Sequence, residues 1–186
     1  MQQVVEVTQR WLWQVIVKYN ICPFARQEIE AQRINYQVCK ATAVEDILAT
    51  VVAECKFLDE HPEVATALVI VPDALADFSD YLDTLDLANQ LLRLEGYEGV
   101  FQLASFHPAY CFAGEPEDDP ANYTNRAPYP IFHILREDEL AEALDNFDQP
   151  ELIPERNIAF ARRKGAAFFE RLLHKIKAGE PPADNT

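Results

Sequence analysis

The chain has 186 residues, 49% hydrophobic and 25% charged, which is enough apolar material for one core and too much for a disordered segment. Its 31 acidic residues against 16 basic ones give a formal net charge of −15, so its surface repels phosphate backbones and anionic bilayers, and neither nucleic acid nor membrane is an expected partner. Its four cysteines form no C-x-x-C pair and Met1–Glu6 lacks the basic start of a signal peptide, so a cytoplasmic protein with reduced thiols is expected.

The chain opens on a helical pattern: Val4, Thr8, Trp11, Leu12, Val15, Ile16 and Tyr19 share one face. Asn20 breaks it, and Cys22-Pro23 is expected to start a second, short helix, because proline suits a first helical position. Residues 33–40 alternate as a strand. Thr42 and Glu45 have capping-box spacing ahead of a helix carrying Ile47, Val51, Cys55 and Leu58. Thr66 to Val71 is a continuous apolar run, the signature of a strand covered on both faces. Pro72-Asp73 is expected to open the next helix. Val100 to Phe106 and Ile131 to Leu135 read as the third and fourth strands. A short helix over Glu137–Phe147 follows, then a last long helix from Pro154 through Ile176. The expected fold is α/β (or α+β): a single-domain sandwich over 1–178, with a mixed, partly parallel sheet of about four strands covered by helices, one hairpin-like edge and a frayed polar tail at 179–186.

Between Phe106 and Pro130 lie about two dozen residues without periodicity but with five prolines and the aromatic residues Tyr110, Phe112, Tyr123 and Tyr129. A long loop of this kind inside a compact domain is expected to be ordered and functional. It leaves the carboxyl end of a strand, where open α/β sheets form ligand crevices. Its flanks, together with the Asn-Ile-Cys-Pro-Phe-Ala stretch at 20–25, carry further blocks: Phe-His-Pro at 106–108, Asn-Arg-Ala-Pro-Tyr-Pro at 125–130 and His-Ile-Leu-Arg-Glu at 133–137. In this order the blocks resemble a bacterial family known as domain of unknown function 1415. The resemblance implies a stand-alone bacterial domain of this length and supplies no reaction, cofactor or catalytic residue.

Three constellations could carry chemistry. Cys22, at an expected helix N-terminus, would have its thiolate stabilised there, and His107 or His133 could act as its base in acyl or amide hydrolysis or transfer. Arg126 and Arg136, with Arg26 as a third, could fork onto an anionic group, and Asn122, Asn125 and Tyr110 could orient a ligand. His107 and His133 with Asp118 or Asp119 would make a two-histidine, one-carboxylate metal site, although the local spacing of a metal motif is missing. Cys39 and Cys55 fall on core positions, Cys111 in the loop, and Glu115–Asp119 reads as a solvated loop tip. With five glycines and no phosphate-cradling loop, no nucleotide motif is present and the cofactor is left open. An enzyme acting on a small molecule, a non-catalytic binder of a small anion or peptide, and a metal-binding protein are the three functional readings.

Overall fold

The computed structural model describes residues 1–180. Its helices are α1 (Gln2–Trp11), α2 (Ala25–Glu30), α3 (Val44–Glu60), α4 (Phe78–Leu94), α5 (Glu137–Asp145), α6 (Ile153–Lys164) and α7 (Ala166–Ala178). Its strands are β1 (Ile34–Val38), β2 (Thr66–Ile70), β3 (Phe101–Phe106) and β4 (Ile131–Arg136), in the order β1-β2-β4-β3. β1 and β2 are parallel, while β4 runs antiparallel to both β2 and β3. The expected mixed α/β sandwich is present. The hairpin-like edge is the antiparallel pair of β3 and β4: β4 sits between β2 and β3, and the edges are β1 and β3.

Alternation along the strands splits the core into two layers. One face, with Ala67, Val69, Phe132 and Ile134, packs against α3 and α4 through Val51, Cys55, Leu58, Tyr81 and Leu92. The other, with Leu68, Ile70 and Ile131, packs against α1 and α7 through Val7, Trp11, Val15, Ile16 and Ile176. β2 is buried throughout because both faces are covered. Cys39 and Cys55 are core residues, as their patterns predict.

Several element bounds differ from the sequence pattern, each for a local reason. The capping box is not formed; Ala43 is the N-cap of α3 and no side chain caps it. α4 starts at Phe78 rather than at Pro72, because Asp77 accepts from the amides of Ser79 and Asp80. α2 starts at Ala25, so Cys22 and Pro23 lie in the turn before it. The last helix is two helices joined at Gly165. After Trp11 the first helix widens into a π-helical turn over Leu12–Val17, which buries Leu12, Val15, Ile16 and Val17 together. No helix among the described residues is long and apolar enough to cross a membrane. Of the expected frayed tail, residues 181–186 lie outside the described residues.

Candidate functional site

The 107–130 segment is ordered, and its polar side chains are spent on holding it so. Asn122, fully buried, accepts from Phe112 N at 2.9 Å and donates to Pro116 O at 2.9 Å and Glu117 O at 3.2 Å. Arg126 donates to Tyr110 O at 3.0 Å and Glu117 O at 2.7 Å, with its guanidinium 4.4 Å from the centre of the Tyr123 ring. Asn125 donates to Ser105 O at 3.3 Å and accepts from the Thr124 hydroxyl at 3.2 Å. Tyr110 packs its ring against Phe78 and Phe112. The acidic tip is not simply solvated: Asp119 accepts from Ala121 N at 2.7 Å and, with Glu115, is clasped by Arg162 of α6 at 2.8–3.2 Å. Arg162 holds the Asp119 carboxyl below the usual carboxylate range, and the amide of Ala121 lowers it further.

The two histidines lie on opposite faces of the sheet. His107 is fully buried on the α4 side, its ring 5.1 Å from both Phe78 and Tyr81. The amide of Ala109 donates to Nδ1 at 3.0 Å, which leaves the proton on Nε2 to be donated to Leu75 O at 2.8 Å. Burial pushes its pKa down, so the ring is a neutral strut between two loops. His133 pairs across the strands with Leu68 and Ala104 and lies beside Phe106 on the α1 side, where burial pushes its pKa down to about 4. Two rings divided by a sheet cannot share one metal ion. Among the described residues no group of three or more His, Cys, Asp or Glu side chains is disposed to hold one.

Cys22 is partly buried beside the α1-side core, with no histidine bonded to it. Burial raises its pKa, and the amides of Phe24 and Ala25 only partly oppose this. The six-residue α2 therefore does not deliver the activated thiolate expected of a helix start. Arg136 donates to the carbonyls of Leu58, His61 and Val64, closing the carboxyl end of α3 rather than facing a ligand. Arg26 is exposed, 3.4 Å from Glu30, with its guanidinium over the Trp13 ring.

A concavity among the described residues lies elsewhere. A groove of about 740 Å³ runs between α1 and β1. Its wall is a stripe of α1 and the π-helical turn: Glu6, Gln9, Arg10, Trp13 and Gln14. Its floor is Ile34 and Tyr36, and Ile29 and Gln32 close the far side. Two donors or acceptors in it have no partner among the described residues. Gln14 Oε1 is buried without a hydrogen bond. The Tyr36 hydroxyl is acted on by burial alone, which pushes its pKa up to about 12 and keeps it a protonated donor. Arg10 and Glu6 neutralise each other at 3.6 Å, and Arg10 also donates to Ile176 O at 3.2 Å. One sequence signal pointed here: Glu6, Gln9, Arg10 and Trp13 form a second helical stripe beside the apolar one, with a tryptophan in it.

A family model described as protein of unknown function (DUF1415) matches residues 3–171. The chain belongs to this family. The match spans both layers of this family member's sheet, the groove and the 107–130 segment alike. Neither the curated proteins nor the solved structures yield a match. The blocks that carried the resemblance have structural work in this fold. Asn20, at φ 52°, turns the chain out of the π-helical turn, and α6 fixes that turn: Asn157 donates to Ile21 O and Arg156 to Asn20 O, each at 2.7 Å. The carbonyl of Arg126 accepts from the indole of the fully buried Trp11 at 3.1 Å, pinning the loop to the helix that walls the groove.

Proposed function

We propose that the protein is a binding domain rather than a catalyst, and that its ligand lies in the groove between α1 and β1. The observation that carries this reading is the buried, unpartnered carbonyl oxygen of Gln14 in the groove wall. Such an acceptor costs about 1–3 kcal/mol, and folded proteins keep few of them unless something else supplies the donor. It stands in a π-helical turn, a distortion often retained at functional positions. Trp13 beside it is 38% exposed and offers an aromatic face, and the Tyr36 hydroxyl offers a donor. The volume falls within the range of about 300–1,000 Å³ typical of ligand pockets. With Arg10 and Glu6 cancelling, amides and an indole favour a planar, amide-like group over a strongly charged small ion.

Catalysis has less support. The thiol of Cys22 is raised in pKa, both nitrogens of His107 are engaged, and Arg126 and Arg136 are bound to backbone carbonyls. The test is Gln14→Met, which keeps the shape and removes the unsatisfied acceptor. The variant is expected to gain about 1 kcal/mol in urea unfolding. It should also lose the amide and heteroaromatic fragments that shift the Trp13 indole and Gln32 side-chain resonances of the parent protein. A variant that is less stable, or a fragment set that leaves those resonances unmoved, would overturn the reading.

A further inference from the structure

A second surface, which shares no residue with the groove, forms where the end of the π-helical turn meets α6 and α7. The bonds from Arg156 and Asn157 to the carbonyls of Asn20 and Ile21 seat the chain there. Tyr19 lies against both helices, its ring 5.2 Å from Phe160 and 5.7 Å from Phe168, and all three rings are half-buried. Three exposed cations border them. Lys18 Nζ stands 5.9 Å from the centre of the Tyr19 ring, the Arg163 guanidinium 5.9 Å from Phe160, and Lys164 Nζ 5.1 Å from Phe168 and 5.9 Å from Phe160. None of the three has a carboxylate partner among the described residues, whereas Arg10, Arg26, Arg33, Lys56, Arg136 and Arg162 each have one. The carboxylates on α6 and α7 themselves are Glu155, in the first turn of α6, and Glu170, which accepts from the Tyr123 hydroxyl.

We infer that this surface docks a short acidic segment of another protein, its carboxylates on Lys18, Arg163 and Lys164 and an apolar side chain on the Tyr19–Phe160–Phe168 platform. The lining itself argues for that chemistry. In a chain with 31 acidic residues against 16 basic ones, three neighbouring cations left without carboxylates are a local inversion of the molecule's charge. They are complementary to carboxylates that the chain does not supply there. Aromatic rings with arginine beside them are the residue types that concentrate binding energy at protein interfaces. The rings are already packed on one another, so little ordering is lost on binding. The same charge limits the size of the partner. Duplex DNA carries a charge about every 1.7 Å of its length, and an anionic bilayer is more extended still, so either would run past three cations onto a body of net −15. A segment with a few carboxylates stays within the patch.

The test is selection of a display library of short random segments on the full chain, followed by titration of the best synthetic peptide into the parent protein and two variants. Enriched segments are expected to combine Asp and Glu with an aromatic or aliphatic residue, and the peptide should shift the Phe160, Lys164 and Phe168 resonances. The double variant Arg163→Gln, Lys164→Gln removes two exposed charges and leaves the rings in place. It should bind about tenfold more weakly, a loss of about 1.4 kcal/mol. Arg93→Gln, which removes an exposed cation of α4 on the other side of the sheet, should bind as the parent does. Added sodium chloride should weaken binding to the parent more than to the double variant. Enrichment of neutral or basic segments, or of none, would overturn the inference, as would equal affinity in the parent and the double variant. Shifts confined to Trp13 and Gln32 would assign the peptide to the groove and remove this surface. Oligothymidylate, phosphatidylserine vesicles or a second copy of the chain shifting Lys164 and Phe168 where the acidic peptide does not would overturn the choice of partner.

Discussion

At the scale of single residues, a clamp and a ligand contact have the same composition. Arg126, Arg136, Asn122 and Asn125 are the residue types that bind anions and orient substrates, and they sit on a long loop or its return strand. Each is instead bonded to backbone groups of its own chain. Only the partner atoms separate the two roles, and the sequence does not contain them. His133 is a further case. Its alternation with Ile131 and Leu135 suggests a hydrogen-bonded core imidazole; the ring is instead half-buried with no hydrogen-bond partner among the described residues, and burial pushes its pKa down to about 4. That depression has a sign for stability. Between about pH 6.5 and 4 the unfolded chain binds the proton more readily than the folded one, so stability is full above the unfolded value and falls as pH drops through this window. A shift of this size corresponds to roughly 3 kcal/mol at complete burial; part of the residue still reaches solvent, and about 1–2 kcal/mol is expected. His107 shifts in the same direction and adds to the slope. Relative to the parent, His133→Leu, facing Leu68 and Ala104, should therefore be more favourable at pH 5 than at pH 7.5 in urea unfolding, by about 1–2 kcal/mol. An undiminished difference between the two pH values in the variant would assign the slope to other groups.

At the scale of elements, periodicity was a good guide to existence and a poor guide to ends. The stripes at Val4–Ile16 and Ile47–Leu58 and the apolar run at Thr66–Val71 correspond to α1, α3 and β2, because burial of one face is what both the pattern and the packing record. The π-helical turn was not legible, since an extra residue in a helical turn leaves the apolar spacing almost unchanged. Nor was the break between α6 and α7. Apolar spacing continues across Gly165, but its backbone stands at φ 79° and ψ 155°, a region open to glycine and closed to other residues. The joint aims α7 back at the loop, where Phe169 stacks on Tyr123 at 5.4 Å and Glu170 accepts from the Tyr123 hydroxyl at 3.0 Å. A Cβ at Gly165 would meet nothing within 4 Å. Gly165→Ala is thus a test of backbone strain alone, and a loss of about 1–3 kcal/mol is expected in chemical denaturation. A loss no greater than a few tenths of a kcal/mol would mean that the two helices can join through another conformation.

At the scale of the whole molecule, the two crossovers β1-α3-β2 and β2-α4-β3 were legible as strands alternating with helices, and they place both helices on one face. The insertion of β4 between β2 and β3 was not, because strand order is a choice among non-local partners. The same scale governs charge. Individual ion pairs such as Arg26–Glu30 and Lys56–Glu95 are exposed and contribute little, about 0–1 kcal/mol each. The −15 total is summed over every pair of charges and opposes the compact state through self-repulsion. Salt acts on both, with opposite signs: screening weakens the exposed pairs, including the clasp of Arg162 on Glu115 and Asp119, and it relieves the repulsion among 31 carboxylates. The repulsion involves many more charges and should win. Raising sodium chloride from about 0.01 M, where the screening length is about 30 Å, to about 1 M, where it is about 3 Å, should stabilise the protein by about 1 kcal/mol, a rise in Tm of roughly 2–4 °C for a chain of this size. Chloride is the salt to use, because sulfate strengthens apolar burial by exclusion and would raise Tm for a different reason. A Tm that falls with chloride would show that the ion pairs, led by the Arg162 clasp that ties α6 to the 107–130 segment, outweigh the net charge.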